Sequence, residues 1–255
     1  MSDQSQTPII SMRGVSKAFG SNVVYRGMDL DVYRGETLTI LGGSGSGKSV
    51  ALKLMIGLLR AEEGSVLVNG AEVSEMRTDS LRKLRQDLAM VFQGGALFDS
   101  MSVLENVGYA LTEHTTMSDA EIRDRAEECL EMVGLGLSEN AGILEKFPAN
   151  LSGGMRKRVA LARSIAIKPA VILYDEPTTG LDPPNCDRIS MMIRHLQEQL
   201  SVTSVVVTHD IDTAFYVSDR LAMLHDHRFP WVARTEDFRQ IEDEVVRDFI
   251  VRRTR

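Results

Sequence analysis

The chain has 255 residues, of which 43% are hydrophobic and 25% charged, and its formal net charge at pH 7 is −7. These proportions are typical of a globular protein with enough apolar residues for a large core. The negative charge argues against nucleic acid as a partner, because nucleic-acid-binding surfaces carry clustered lysine and arginine. No run of about 18 apolar residues occurs, so the sequence predicts no transmembrane helix. Cys129 and Cys186 have neither paired nor metal-type spacing.

Taken in chain order, the first third of the sequence predicts strands and helices around a glycine-rich stretch. Strands are expected where apolar residues alternate with polar ones, or form short apolar runs bounded by turn residues. The predicted strands cover residues 9–15, 23–32, 37–41, 65–68 and 88–92, and helices start near Lys48 and Thr78. Asn69-Gly70 predicts a tight hairpin turn after the fourth of these strands.

The glycine-rich stretch, residues 42–49, matches the phosphate-binding pattern G-x-x-x-x-G-K-[ST]. A buried strand precedes it and an apolar helix follows, which is the context in which backbone N–H groups and a helix N-terminus bind phosphate. Lys48 would reach the β- and γ-phosphates, and the Ser49 hydroxyl would bind Mg²⁺. The alternative is a flexible Gly/Ser loop, although the pattern arises by chance in only about one chain in a hundred. The residues expected to bind nucleotide here are Gly42, Gly43, Ser44, Gly45, Ser46, Gly47, Lys48, Ser49 and Val50.

Beyond Gln93 the pattern changes from alternating strands and helices to helices alone. Gly94-Gly95-Ala96 indicates a flexible joint, and helix signals dominate the next seventy or so residues. We therefore expect one domain with an inserted helical subdomain. The predicted nucleotide-binding core comprises residues 1–93 and 166–255, and the helical subdomain comprises residues 94–165.

Two later strands end in polar residues. Asp175 and Glu176 follow an apolar run, and His209 follows the strand over 203–208. Strands and helices alternate at this spacing in parallel β-α-β units, whose carboxyl ends open on one crevice. Asp175 would complete the Mg²⁺ shell, and Glu176, with a pKa raised by facing phosphate charge, would orient or deprotonate water. A lone histidine is more often structural than catalytic, so both roles stay open for His209.

Ser152-Gly153-Gly154 predicts a second anion site at the start of an Arg- and Ala-rich helix. Ser152 can cap that helix, and the two glycines leave backbone N–H groups free to bind an anion. The alternative is a capped helix with no ligand. If both sites bind phosphate but lie far apart in one chain, two chains must pair to bring them together.

Two apolar features stay open between packing and binding. Phe19 could stack on a nucleotide base, but core packing is at least as common for a single phenylalanine. The C-terminal stretch from Thr235 predicts a helix with an apolar stripe, which we expect to face the core rather than a partner. The stripe consists of Phe238, Ile241, Val245 and Phe249.

These features, in this order, resemble the ATP-binding subunit of ABC transporters. The resemblance covers nearly the whole chain, and it is carried by the phosphate loop, Gln93, Leu151-Ser152-Gly153-Gly154, Asp175-Glu176, Leu181-Asp182 and His209. It implies an α/β P-loop NTPase fold of the ABC ATPase type. Such a fold has a mainly parallel core sheet, an N-terminal antiparallel β subdomain and an inserted helical subdomain.

The resemblance also implies a head-to-tail homodimer with ATP and Mg²⁺ as cofactors. Each ATP would lie between the phosphate loop of one chain and Ser152, Gly153 and Gly154 of the other. The implied catalytic residues are Glu176 as base, His209 on the γ-phosphate, Gln93 and Lys48. The implied metal ligands are Ser49, Gln93 and Asp175, while Phe19 would stack on adenine and Asp182 would bridge the two chains.

Two stretches are similar to a narrower group, the ATPases of Mce-domain lipid transporters of the Mla type. They are residues 92–101 and Glu105-Asn106-Val107, and Met155, where most transporter ATPases carry Gln, is similar to the same group. The resemblance implies a motor for transport of phospholipid or another lipid, peripheral on the cytoplasmic face of the inner membrane. Its implied partners are transmembrane permease subunits, with an Mce-type substrate-binding protein and a small regulatory subunit as further candidates.

Two alternatives stay open at this point. An importer for small polar solutes would differ only in its partner, since the ATPase never touches the cargo. A non-transport ABC ATPase acting on nucleic acid is disfavoured by the single set of motifs and by the acidic composition. The sequence departs from the family pattern at residues 227–230, where a glycine-containing turn is usual, so a C-terminal hairpin and a regulator docked on it stay open.

Overall fold

The computed structural model describes residues 7–253, and within this range ten strands and nine α-helices form. The strands are β1 (Ile10–Phe19), β2 (Asn22–Val32), β3 (Thr37–Leu41), β4 (Glu63–Val68), β5 (Ala71–Glu72), β6 (Leu88–Val91), β7 (Val171–Asp175), β8 (Thr203–Thr208), β9 (Arg220–His225) and β10 (Arg228–Arg234). The helices are α1 (Lys48–Met55), α2 (Thr78–Asp87), α3 (Val103–His114), α4 (Asp119–Met132), α5 (Gly153–Ile165), α6 (Pro183–Leu200), α7 (Ile211–Val217), α8 (Thr235–Phe238) and α9 (Glu244–Arg253). Short 3₁₀ helices cover Val73–Glu75 and Pro148–Asn150.

An antiparallel sheet in the order β2-β1-β4-β5 forms the N-terminal β subdomain. Ile10 of β1 lies opposite Val32 on one side and Val68 on the other. Asn69 and Gly70 turn the chain between β4 and β5 with φ angles of 50° and 76°. Positive φ at both central residues is what a tight hairpin turn requires, so the predicted turn is confirmed.

The second sheet has the order β10-β9-β3-β8-β7-β6 and is parallel except for β10. Every residue of β3 and β7 is buried, as expected of strands covered on both faces. Leu41 pairs with Thr208, and Asp175 pairs with Val207. The carboxyl ends of β3, β7 and β8 therefore lie together, and the segments that follow these strands meet at one edge of the sheet. The predicted α/β fold with a mainly parallel core sheet is confirmed.

Between β6 and β7 the chain forms only helices. α3 and α4 each begin with a capping box, and α5 follows a 3₁₀ turn. The three helices pack around one apolar core that also includes side chains of β7. Members of this core are Val107, Leu130, Leu161, Ile172 and Tyr174. The helical insertion is thus packed directly on the strand that leads to the two predicted carboxylates.

The C-terminal hairpin forms although its turn lacks glycine. Asp226 and His227 adopt positive φ angles of 44° and 66° between β9 and β10. Aspartate and histidine enter this left-handed region more readily than most side chains, and Arg26 N–H donates to the carbonyl of His227 over 3.1 Å. Pro230 is tolerated because β10 is an edge strand, where a missing N–H costs no ladder hydrogen bond.

The C-terminal stretch departs from the single predicted helix, since α8 ends at Phe238 and α9 starts at Glu244. Asp243 explains the new start, because its carboxylate accepts a hydrogen bond of 2.9 Å from Val245 N–H. The predicted stripe does face the core. Phe238 is fully buried, and Ile241, Val245 and Phe249 pack against the cluster that contains Leu41 and Leu221. No helix in the described part of the chain combines the length and the apolar composition needed to cross a bilayer.

Candidate active site

The phosphate loop connects β3 to α1, and its backbone needs glycine at two positions. Gly45 and Gly47 have φ angles of 74° and 105°, a region that side-chain-bearing residues rarely adopt. A β-carbon on Gly47 would also collide with the side chain of Val24. Lys48 opens α1 with its side chain only 5% exposed, and its Nζ donates to the carbonyls of Gly42 and Gly43 over 3.0 and 2.9 Å.

Two hydroxyl groups at the loop indicate how it is held and what it can bind. Tyr25 of β2 donates a hydrogen bond of 2.6 Å to the carbonyl of Gly47, so the antiparallel sheet fixes the last turn of the loop. Ser46 Oγ is buried and has no hydrogen-bond partner among the described residues. A buried hydroxyl without a partner is costly unless a ligand satisfies it, and a phosphate oxygen would accept its hydrogen bond. The loop therefore fits a nucleotide phosphate.

Ser49 and Asp175 are in direct contact, although 126 residues separate them. Ser49 Oγ donates to Asp175 Oδ1 over 2.6 Å, and the Asp175 side chain is buried. A hydroxyl next to a carboxylate is an all-oxygen donor pair of the kind that Mg²⁺ prefers beside nucleotide phosphates. Within residues 7–253 no cluster of three or more His, Cys, Asp or Glu side chains forms a self-contained metal site. The residues present therefore fit a Mg²⁺ ion that takes most of its ligands from phosphate and water.

Glu176 lies directly after β7 in a backbone conformation unusual for a glutamate, with φ at 48°. Its N–H donates to the carbonyl of Val207 over 2.9 Å. Its side chain is 12% exposed, and its two carboxylate oxygens contact a lysine ammonium group and a histidine ring. Oε1 lies 3.3 Å from Lys48 Nζ, and Oε2 lies 2.8 Å from His209 Nδ1. The structure thus brings three of the predicted catalytic residues into one contact network.

Two threonines add donors to the same carboxylate oxygen. Thr179 and Thr208 place their hydroxyls 3.1 and 3.5 Å from Glu176 Oε2. Burial raises the pKa of Glu176, but the hydrogen bond from His209 and the charge of Lys48 outweigh burial, so the net pKa lies below its ordinary value. The neighbours that lower this pKa are protein groups, so the rise expected beside a phosphate stays a prediction. Glu176 stays ionised at neutral pH and can accept a proton.

Gln93 follows β6 and is exposed at the joint with the helical insertion. Its carbonyl accepts a hydrogen bond of 2.6 Å from Lys157 Nζ of α5. Sequence reasoning gave no role to Lys157, Thr179 or Thr208. The sequence signal for Lys157 is a lysine in the mainly apolar inner face of α5, because a buried charge is costly and needs a compensating contact.

Ser152 and Asp182 lie outside this contact network and act locally as helix caps. Ser152 Oγ accepts from Met155 N–H over 3.2 Å at the start of α5. Asp182 accepts from Asn185 N–H over 3.0 Å at the start of α6. A β-carbon on Gly154 would lie 3.2 Å from the amide oxygen of Asn185, so glycine keeps these two helix starts in close contact. Both caps are exposed, and a partner can reach them.

Phe19 also lies away from the carboxylates, at the end of β1. Its side chain is 48% exposed, and Lys17 Nζ lies 5.2 Å from the centre of its ring. Core packing, the alternative that the sequence left open, is wrong for this residue. An exposed ring is free to stack on a base.

Comparison with known proteins agrees with this geometry. A profile of the family described as "ABC transporter" matches residues 25–179, which include the phosphate loop, Ser152–Gly154 and both carboxylates. The chain belongs to the ABC transporter family. Within this family it binds ATP and hydrolyses it as the motor subunit of a transporter.

Two curated relatives cover most of this ABC subunit. One, from Mycobacterium leprae, is described as "Probable ribonucleotide transport ATP-binding protein mkl" and is 40% identical over 241 residues, which are 94% of this chain and 68% of the relative. The other, from Haemophilus influenzae, is described as "Intermembrane phospholipid transport system ATP-binding protein MlaF". It is 35% identical over 242 residues, which are 95% of this chain and 90% of the relative.

A solved structure agrees with the ABC ATPase fold. The ATP-binding cassette MJ0796, in a dimeric post-hydrolysis state bound to ADP and Pi, superimposes with a TM-score of 0.80 at 33% sequence identity. The match covers 89% of this chain and 98% of that chain. The predicted fold and the predicted ATPase activity are therefore confirmed.

Proposed function

We propose that this ABC subunit hydrolyses ATP to drive transport of phospholipid or another lipid, together with permease subunits and an Mce-type substrate-binding protein. The observation that carries the proposal is the MlaF relative, which matches this chain over nearly its whole length and 90% of its own. The stretch at residues 92–101 and Met155 support the same assignment, because these positions resemble the Mla-type ATPases. The mkl relative, named for ribonucleotide transport, supports an importer of small polar solutes as the second candidate.

An exposed aromatic pair supports docking of a permease next to Gln93. Phe98 and Tyr109 are 41% and 39% exposed, and their ring centres lie 4.9 Å apart. The guanidinium of Arg163 lies 5.7 Å from the centre of the Phe98 ring. Exposed aromatic side chains next to an arginine are typical centres of protein interfaces. A permease segment bound here would press on the joint that carries Gln93.

Pairing of two chains is the second part of the proposal. The phosphate loop and the Ser152–Gly154 turn are both suited to bind phosphate, yet Ser152–Gly154 packs against Leu181 and Asn185 rather than joining the network around Lys48. The structural neighbour MJ0796 is dimeric. In a head-to-tail homodimer, ATP would be held by the loop of one chain and by Ser152, Gly153 and Gly154 of the other. Asp182 would then lie at the contact between chains.

ATP supplies the phosphoanhydride bond, and Mg²⁺ neutralises phosphate charge beside it. Lys48 and the loop N–H groups would bind the β- and γ-phosphates. Ser49, Asp175 and Gln93 would hold the metal, the last through its side-chain amide. Glu176 would accept a proton from water, and His209 would donate to the γ-phosphate. Phe19 would stack on adenine and leave the chemistry unchanged.

The membrane location also belongs to the proposal. The chain would be peripheral, bound to its permease at the cytoplasmic face of the inner membrane. A small regulatory subunit, if one binds, would have the β9–β10 hairpin and the C-terminal helices available as a surface. Nucleic acid is not an expected partner of this acidic chain.

The cargo is tested by isolating the complex. The tagged chain is purified from membranes of its own source in mild detergent, and co-purifying proteins and small molecules are identified by mass spectrometry. We expect permease subunits, an Mce-domain protein and phospholipid above the level in a mock purification. Enrichment of a small polar solute with an importer permease would contradict the lipid assignment, and nucleic acid without membrane subunits would contradict a transport role.

The docking surface is tested in the same preparation. We expect the variant F98A/Y109A to lose its permease, because both exposed rings are removed. Tyr216→Ala is the matched control, since Tyr216 is 54% exposed on α7, which is not part of the helical insertion. Retention of the permease by F98A/Y109A would contradict docking at these residues.

A further inference from the structure

α5 carries a buried lysine whose hydrogen-bond partners are carbonyls rather than carboxylates. The Lys157 side chain is 8% exposed, and its Nζ lies 2.6 Å from the carbonyl oxygen of Gln93 and 3.4 Å from that of Glu176. Burial lowers the pKa of Lys157, and the nearby Cys186 and Glu176 only partly offset this effect. A buried ammonium is costly, so this one is expected to have a specific task.

The two carbonyls belong to two different segments of the active site. Gln93 is the joint between the core sheet and the helical insertion, whereas Glu176 carries the proposed catalytic carboxylate. One ammonium group therefore connects the backbone of the joint to the backbone of the proposed base. The two residues are 83 positions apart in sequence and follow the neighbouring strands β6 and β7 of the core sheet.

Glu176 needs such support because of its backbone conformation. A non-glycine residue with φ at 48° is strained, and this conformation persists only where neighbouring groups hold it. Val207 accepts the hydrogen bond from Glu176 N–H, and Lys157 donates to the Glu176 carbonyl. Both ends of this residue are thus bonded, one to the sheet and the other to α5.

A second basic residue of α5 binds the same joint. Arg163 donates to the carbonyls of Gly95 and Ala96, each over 2.8 Å. α5 therefore holds three of the four carbonyls that follow β6 between Gln93 and Ala96. Ser152, at the proposed second phosphate site, caps the start of the same helix.

We propose that Lys157 is a positioning residue, which ties the peptide of Gln93 to the peptide of Glu176 so that movement of the joint or of α5 shifts the carboxylate. This inference rests on the proposed roles of Gln93 and Glu176 and extends them. A permease that moves the joint, or a phosphate that moves the start of α5, would change the position of the Glu176 carboxylate through the Lys157 ammonium group.

Steady-state ATP hydrolysis by the purified full chain tests the proposal. Lys157→Met keeps the aliphatic stem and removes the ammonium, and we expect kcat to fall about tenfold with KM for ATP changed by less than about twofold. Lys157→Arg keeps a donor at this position and should restore at least half of the wild-type kcat. Arg158→Met is the matched control, because Arg158 is on the same helix but donates to Gly134 within the helical insertion. Its kcat should stay within about twofold of wild type.

Amide hydrogen exchange gives a second measurement that does not depend on turnover. In Lys157→Met we expect faster exchange in two separate segments, residues 94–98 and residues 176–180, with no change in Lys157→Arg. If Lys157→Met does not fold, Lys157→Gln replaces it in both measurements, and the same outcomes apply. The proposal is overturned if kcat is unchanged, or if faster exchange is confined to α5, since either result would leave Lys157 with a packing role alone. The cargo assignment is unaffected by these outcomes and depends only on the purified complex.

Discussion

Lys48 and Glu176 form a buried ion pair, with 3.3 Å between Nζ and Oε1 and with side chains only 5% and 12% exposed. Two functions meet in this contact, because Lys48 is the proposed phosphate ligand and Glu176 the proposed base. A phosphate that binds Lys48 competes with Glu176 for the same ammonium group. Binding of the triphosphate would therefore free one carboxylate oxygen while His209 still holds the other.

Replacing Glu176 with glutamine should separate binding from hydrolysis. Glutamine keeps the size of the side chain but accepts no proton, so Glu176→Gln should lower kcat about a thousandfold. Binding of ATP should persist, and the variant should accumulate as an ATP-dependent dimer in size-exclusion chromatography. Glu198→Gln is the control, because Glu198 has a side chain 57% exposed and pairs with Arg194 on the surface of α6. Normal hydrolysis by a monomeric Glu176→Gln protein would contradict the proposed base.

Mixing two inactive chains tests the shared site. Lys48→Ala removes the phosphate ligand, and Ser152→Arg blocks the second anion site; each lesion alone should cost about 3 kcal/mol in the activation barrier. In a head-to-tail dimer of the two variants, one of the two sites contains an intact loop and an intact Ser152. Mixed dimers should therefore regain about half of the wild-type turnover per dimer in an ATPase assay. Each variant assayed alone at the same total concentration provides the control. If the mixture recovers no ATPase activity, the shared site is refuted.

Removal of the Phe19 ring should weaken ATP binding without affecting stability. Stacking of a base on an aromatic side chain contributes about 1–3 kcal/mol, so Phe19→Ala should raise KM for ATP about tenfold at unchanged kcat. Because the ring is half exposed, the thermal midpoint should not change. Phe19→Trp should behave like wild type. An unchanged KM in Phe19→Ala would exclude stacking on adenine.

The lowered pKa of Glu176 predicts a pH dependence of stability. Burial raises this pKa, but His209 and Lys48 together lower it by more than burial raises it. The folded protein therefore favours the ionised carboxylate relative to the unfolded chain. The resulting stabilisation is present above the ordinary pKa of 4.5 and is lost as the pH falls through the lowered folded value. Thermal melts from pH 7 to pH 3.5 should therefore show the difference in midpoint between wild type and Glu176→Gln shrinking towards the acid end.

Glu36 provides a comparison of opposite sign. Burial raises its pKa, and the hydrogen bond from Tyr33 N–H and the charge of Arg220 offset this only in part. The folded protein therefore disfavours the ionised form of Glu36, and its contribution to stability becomes less favourable as the pH rises through the ordinary carboxyl range. The midpoint difference between wild type and Glu36→Gln should change with pH in the opposite direction. The same pH trend for both variants would contradict these assignments.

Most of the fold could be predicted from the sequence because its local signals agree with its topology. Apolar runs ending in polar residues gave the parallel strands, and Asn69-Gly70 gave the hairpin. The break between α8 and α9 was missed, because the apolar stripe continues in register across residues 239–243 while the cap at Asp243 starts a new helix. The turn at Asp226-His227 was left open, because hydrogen bonds from a distant strand hold it and no local pattern does.

The site could be predicted in its residues but not in all its contacts. Lys48, Ser49, Asp175, Glu176 and His209 were found because each follows a recognisable strand end or glycine pattern, and the structure brings them together. The lowering of the Glu176 pKa by protein neighbours could not be predicted, since it depends on which group each carboxylate oxygen contacts. Lys157 was missed for a similar reason: a lysine in the mainly apolar face of α5 is visible in the sequence, but its backbone carbonyl partners are not.

The bond from Tyr25 to the Gly47 carbonyl has a consequence for how this protein unfolds locally. Tyr25 is almost completely buried in the antiparallel sheet, so detaching the loop from an intact sheet would break this hydrogen bond. Local unfolding of β2 would loosen the phosphate loop and favour release of the nucleotide. A bound nucleotide would in turn stabilise β2 against local unfolding. The N-terminal β subdomain, to which we assign no acid, base or metal ligand, would thereby influence how long ATP stays bound.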